Sequence, residues 1–183
     1  MITRDEALKL LKEKVRNDKL IKHMLAVEAI MRHLAKRLGE DEELWGLTGL
    51  LHDVDYDIVK GDMEQHGLKA AEILEGKLPP EAIDAIKAHN ELTGFKCETK
   101  LAKALKAADH LAGLIVATAL VMPHKRIDEI KLSSLKRKFK QKDFARGVSR
   151  DRIRLCEELG LTLEEFLELG LIALKEIHEE LGL

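Results

Sequence analysis

An imidazole and a carboxylate stand side by side at His52-Asp53, where the apolar run Leu47 to Leu51 ends, and two more acids, Asp55 and Asp57, follow at once. An ionised carboxylate withdrawn from water costs several kcal/mol, to order of magnitude, unless it is paired or binds a metal. Neighbouring residues on one helical turn can grip a single cation together. The dipeptide alone is common, so its weight depends on what joins it. His23, His66, His89 and Asp109 all lie on helical faces rich in apolar residues. Asp109 sits among Ala107, Ala108 and Leu111, where a carboxylate demands a partner. Pairing with an Arg or Lys would satisfy it, and each histidine taken singly could be a hydrogen-bonded core residue. Six such groups placed inward in one small core are harder to treat as independent. Four imidazoles and two carboxylates form a donor set suited to two transition-metal ions, and to Fe, Mn, Ni, Co or Zn rather than to Mg or Ca alone. With only Cys97 and Cys156 in the chain, a cysteine-rich structural zinc site is excluded.

The elements that must position these groups read as helices almost throughout, because apolar residues recur with a period near 3.6. Thr3 with Glu6 is a capping box for a short first helix. Asn17 and Asp18 cap a long second helix running to Leu38 and stopping at Gly39; it carries His23. A third helix covers about Glu42 to His52. Val54 to Asp62 reads as an acid-rich loop, and a helix from about Met63 to Leu74 opens near His66. Pro79-Pro80 breaks the chain, and Pro80 suits the first turn of the helix that reaches His89. Thr99 to Val121 is a long helix carrying Asp109 and ended by Pro123. A basic stretch, Lys131 to Lys142, follows. Ser149 caps a short helix ending at Gly160, and Thr162 with Glu165 caps a last helix to about Leu181. Alternating strand patterns are missing. The expected fold is all-α: a helical core over residues 1–122, with the basic segment and C-terminal helices, residues 123–183, packed on it.

Composition narrows the class. The chain has 183 residues, 45% hydrophobic and 35% charged, which fits one globular core with a helical extension. Its formal net charge of −2 gives no general pull towards nucleic acid or anionic membrane. No stretch approaches the roughly 20 apolar residues of a transmembrane helix, and the N-terminus lacks the basic start and apolar run of a signal peptide. Two distant cysteines make no disulfide framework, so the expected location is the cytoplasm.

The order His23, His52-Asp53, His66, His89, Asp109 resembles the H…HD…H…H…D pattern of the HD-domain superfamily of metal-dependent phosphohydrolases. The local strings LIKHMLAVEAI, GLTGLLHDVD, HGLKAAEIL, AIKAHNE and KALKAADHLAGLI carry the resemblance, which spans about Asp18 to Val121. It is nearest to an uncharacterised group of HD hydrolases, and its six-ligand layout is similar to that of the HD-type diadenosine tetraphosphate hydrolases. The resemblance implies an all-α HD bundle with His23, His52, Asp53 and Asp109 around one divalent metal. It further implies His66 and His89 on a second metal, with Asp53 as the bridge. Two such cations lower the pKa of a shared water towards neutrality, giving a hydroxide nucleophile, and neutralise phosphate oxygens. The implied substrate is a phosphate ester or anhydride of a nucleotide or similar small molecule.

Departures from the pattern mark where this chain differs. Many HD proteins continue with Gly-Lys after the HD pair; here Asp55 stands near the pair and Lys60 is displaced. Asp55 reads as a general acid, as a group orienting a ligand, or as a solvated loop acid. No Gly-Tyr-Pro follows His89, which argues against a cyclic-di-GMP phosphodiesterase. The segment KLSSLKRKFKQKDFARGVSR reads as a solvated helix face or as a phosphate clamp. In the clamp, Lys138, Arg146 and Arg150, together with Lys60, are the substrate-binding candidates. Aromatics are 3% of the chain, so base stacking on nucleic acid has little support. Two function classes stand: a phosphohydrolase with Asp53 and Asp55 in the catalytic machinery, and a metal-containing nucleotide-binding or regulatory module without turnover. A homodimer is left open.

Overall fold

A computed structural model describes the whole chain, Met1–Leu183. Capping chemistry sets most helix starts. Thr3 Oγ1 accepts the Glu6 N–H and the Glu6 side chain reaches back, opening α1 (Arg4–Lys14). Asn17 caps α2 (Asp18–Leu38), which ends at Gly39 in the left-handed region, φ 71°. Asp41 caps α3 (Glu42–Leu51) by accepting the Leu44 N–H. The segment read as an acid-rich loop contains a single helical turn, α4 (Tyr56–Val59).

The next helix begins later than periodicity predicts. α5 spans Leu68–Leu74, and His66 precedes it instead of lying on it. Gly67 explains the delay: its φ of 100° is unfavourable for an L side chain, and a Cβ there would stand 3.1 Å from the Ile86 carbonyl oxygen. Pro80 opens α6 (Pro80–Ala88), with His89 as its C-cap. Thr99 caps α7 (Lys100–Leu120). The basic segment forms α8 (Leu132–Lys140). Ser149 caps α9 (Arg150–Ile153), which continues as a 3₁₀ turn over Arg154–Leu159. The capping box of Thr162 and Glu165 opens α10 (Leu163–Glu176). Ile177 interrupts the last helix, and α11 (His178–Leu181) closes the chain. No strand is present beyond one isolated bridge between Glu75 and Leu78, and the fold is all-α.

α3 lies at the centre, with every one of its residues from Leu44 to Leu51 buried, as an apolar-all-round helix must be. Leu47, Leu50 and Leu51 are fully buried, each contributing about 1.5–3 kcal/mol. Two glycines let α3 settle onto α2. A Cβ on Gly49 would approach the α2 backbone, Val27 C and Glu28 N, to 3.1 Å; one on Gly46 would meet Arg32 at 2.5 Å. α7 packs across α2 and α6 on one side and receives α9, the 3₁₀ turn and α10 on the other. The buried apolar cluster runs from Ala7 to Leu181, continuous past residue 122. A buried carboxylate, Glu28, is held by Arg4 at 2.7 and 2.9 Å and by Arg32 at 3.0 Å, tying α1 to α2. No helix is long and apolar enough to cross a membrane.

Candidate metal centre

Four helices and one turn deliver the six residues to one point. α2 supplies His23, the end of α3 supplies His52 and Asp53, the end of α6 supplies His89, and α7 supplies Asp109. His66 comes from the turn before α5. His23 Nε2 lies 2.7 Å from Asp109 Oδ1, and His52 Nε2 lies 3.3 Å from the same oxygen and 3.2 Å from Asp53 Oδ2. Asp53 Oδ1 faces the Nε2 atoms of His66 at 3.0 Å and His89 at 3.1 Å. Donor atoms therefore fall into two overlapping groups, His23–His52–Asp53–Asp109 and Asp53–His66–His89, with the atoms of each group within 4.8 Å of one another.

Three of the imidazoles are oriented from behind. His52 Nδ1–H donates to the Gly49 carbonyl at 2.7 Å, and His89 Nδ1–H donates to the Ile86 carbonyl. A carbonyl only accepts, so in the neutral ring the proton is on Nδ1 and the Nε2 lone pair points inward. His66 Nδ1–H donates to Asp55 Oδ1 at 2.7 Å, with the same result. His66 and His89 then face each other through Nε2 atoms 3.2 Å apart, both also facing a carboxylate oxygen. Lone pairs and anionic oxygens converging at that distance need a cation among them, and imidazole with carboxylate is a donor set for divalent transition metals. The residues fit such an ion.

Without a divalent ion the cation is the proton. Burial disfavours the His52 imidazolium, but Asp53 and Asp109 outweigh burial and hold its pKa well above the ordinary value. His66 follows the same logic: burial lowers it, Asp53 and Asp55 raise it, and the net is about 9. Burial alone would raise Asp53, yet His52 first, then His66 and His89, pull it well below the usual carboxylate range. Burial likewise works against Asp109, and His23 and His52 pull it down.

Asp55 is the acid whose placement sequence left open. It is fully buried, and both oxygens are used: Oδ1 by His66, Oδ2 by the N–H groups of Gly67 at 2.7 Å and Ala70 at 2.9 Å. A carboxylate so enclosed positions His66 and caps the start of α5; its placement is not that of a proton donor reaching substrate. Asp57 turns away and accepts the Arg16 N–H.

The basic candidates are not brought to the cluster. Arg150 turns into its own segment, donating to the carbonyls of Lys138, Phe139, Gln141, Phe144, Ala145 and Val148. Three of these carbonyls, those of Lys138, Gln141 and Ala145, also accept a backbone N–H, and one guanidinium fork ties the end of α8 to the loop before α9. Lys138 lies over the Phe144 ring, 4.6 Å from its centroid. Lys60 is exposed and ends α4 in the left-handed region; Arg146 is exposed. Instead, a different arginine touches the centre: Arg152 donates to the His89 carbonyl at 2.6 Å and pairs with Glu91 at 2.9 Å. Asn90 donates to the carbonyls of Met63 and His66, fastening the His66 turn to the end of α6. Tyr56 sets its ring edge against His66, centroids 5.3 Å apart. The position of Asn90 directly after His89 was a usable signal for it; Arg152 carries none.

No curated protein and no solved structure matches the chain significantly. The family model of the HD domain matches residues 20–114, more than half of the chain, and its span takes in most of α2, most of α7, everything between them and all six donor residues. With an all-α bundle around a paired His–Asp cluster that could hold metal, the chain belongs to the HD domain family, whose members are in general metal-dependent phosphohydrolases.

Proposed function

We propose that this protein hydrolyses a phosphate ester or anhydride of a nucleotide or similar small molecule, using two divalent transition metals. His23, His52, Asp53 and Asp109 hold one metal, and Asp53, His66 and His89 hold the other. The observation that carries the reading is the convergence of the Nε2 lone pairs of His52, His66 and His89 on Asp53. When bound, the metals supply Lewis acidity that acidifies water and neutralises charge on the phosphoryl oxygens. The chain's own residues do the rest. Asp53 presents its two oxygens to different halves of the cluster and sets their spacing. The Gly49 and Ile86 carbonyls and Asp55 hold the imidazoles in the tautomer that leaves Nε2 free. Arg152 and Asn90 steady the backbone on either side of His89 and His66.

The test is a phosphoester screen with Mn- or Fe-loaded protein, run beside the Asp53→Ala variant. Turnover in the wild type, lost together with bound metal in a variant of unchanged helicity, is expected. An Asp53→Ala protein with unchanged turnover overturns the proposal.

A further inference from the structure

The side chains of the centre are unequally covered, and the difference gives its direction of access. His52 is fully buried, whereas His23 is 25% and Asp109 18% exposed. The centre therefore opens on the α2–α7 side. A cleft of about 420 Å³ lies there, and of the six donors His23 alone is part of its wall. Gly113, one turn beyond Asp109 on α7, continues the same wall, followed by Val116, Ala117 and Leu120. Leu181 of α11 contributes to the far side. The volume falls within the ~300–1,000 Å³ range of small-molecule sites. The polar side chains of the lining are His23 and two lysines, Lys19 and Lys22, on the first turns of α2.

We infer that this cleft takes the organic group of the substrate, an apolar or aromatic moiety of up to nucleoside size attached to the phosphate at the metal centre. The inference rests on the metal-site reading above and adds the substrate class to it. An apolar wall without amide or hydroxyl side chains selects by buried area, not by the hydrogen-bonding edge of a base. Lys22 is paired with Asp18 at 3.1 Å, so Lys19 is the lysine that places positive charge at the cleft, which suits a further anionic group on the same substrate. Substrates that differ in their ring are thus accepted alike, and those lacking an organic group are held weakly.

Non-hydrolysable probes separate the two readings: methylphosphonate, 1-naphthylmethylphosphonate, and 1-naphthylmethanol, each titrated calorimetrically into Mn-loaded protein. The naphthyl phosphonate is expected to bind roughly tenfold or more tighter than the methyl compound, from its extra buried area. Ala117→Trp, which fills the cleft, should bring that ratio close to one while bound Mn and methylphosphonate affinity stay unchanged. Leu120→Ala, a trimming change at a half-exposed position, should lower the ratio about threefold without overfilling anything. Equal affinities for the two phosphonates in the wild type, or a ratio untouched in both variants, overturn the inference. If 1-naphthylmethanol binds as well as its phosphonate and Ala117→Trp abolishes both, the cleft stands and the metal-site reading fails.

Discussion

Replacing Asp55 by Asn removes one charge and changes almost no volume, yet it should empty half of the metal centre. Asp55 Oδ2 accepts two backbone N–H groups, from Gly67 and Ala70, and an amide oxygen can keep both. The amide NH₂ must then face His66 Nδ1, where a carboxylate oxygen stood at 2.7 Å. Two donors cannot share that contact. His66 answers by moving its proton to Nε2, which points at Asp53, and a protonated Nε2 cannot ligate metal. The charge-assisted bond lost is worth about 1.5–3 kcal/mol, which for a chain of this length is a fall in Tm of roughly 3–12 °C. Loss of an orienting partner costs metal affinity about 10–100-fold. Calorimetric titration with Mn(II), read beside thermal unfolding, measures both. Asp55→Asn with wild-type metal affinity refutes the tautomer argument; wild-type affinity with lost turnover would place Asp55 in the chemistry itself.

Three other expectations follow from particular contacts. Glu28→Ala leaves Arg4 and Arg32 facing an empty buried site, and because both arginines retain some solvent the loss should be about 2–3 kcal/mol in urea unfolding, below the full ~3–5 kcal/mol of a sealed pair. Arg150→Ala frees the carbonyls that one guanidinium ties together, so residues 138–148 should be cut by trypsin under native conditions at a rate several-fold above wild type. At pH 8 a thiol reagent should modify Cys97 and spare Cys156, because burial pushes the Cys156 thiol up to about 12 and a group whose pKa lies that far above the solution pH offers almost no thiolate; two rapidly reacting thiols in the folded protein would contradict this.

Local chemistry was the legible part of the sequence. Capping boxes at Thr3 and Thr162, single caps at Asn17 and Ser149, Pro80 at a first turn and Gly39 at a helix end all act within four residues, and the helices start and stop there. The inward-facing histidines and aspartates could be selected from periodicity because a charged or polar group on an apolar face stands out. What failed was non-local. α5 starts after Gly67 instead of near Met63, since its first turn is capped by Asp55 from twelve residues away and Gly67 must pass close to the Ile86 carbonyl. Arg150 looked like a phosphate ligand in a basic run, but no local pattern tells a solvated arginine from one wrapped by its own loop. Arg152, next but one, gave no sign that it reaches the His89 carbonyl across 63 residues.

The most direct measurement is the number of Mn(II) ions retained per chain after equilibrium dialysis of the wild-type protein prepared without chelators. Asp53 shared between two converging donor groups predicts close to two equivalents. No bound metal at saturating Mn(II) would contradict the account at its centre.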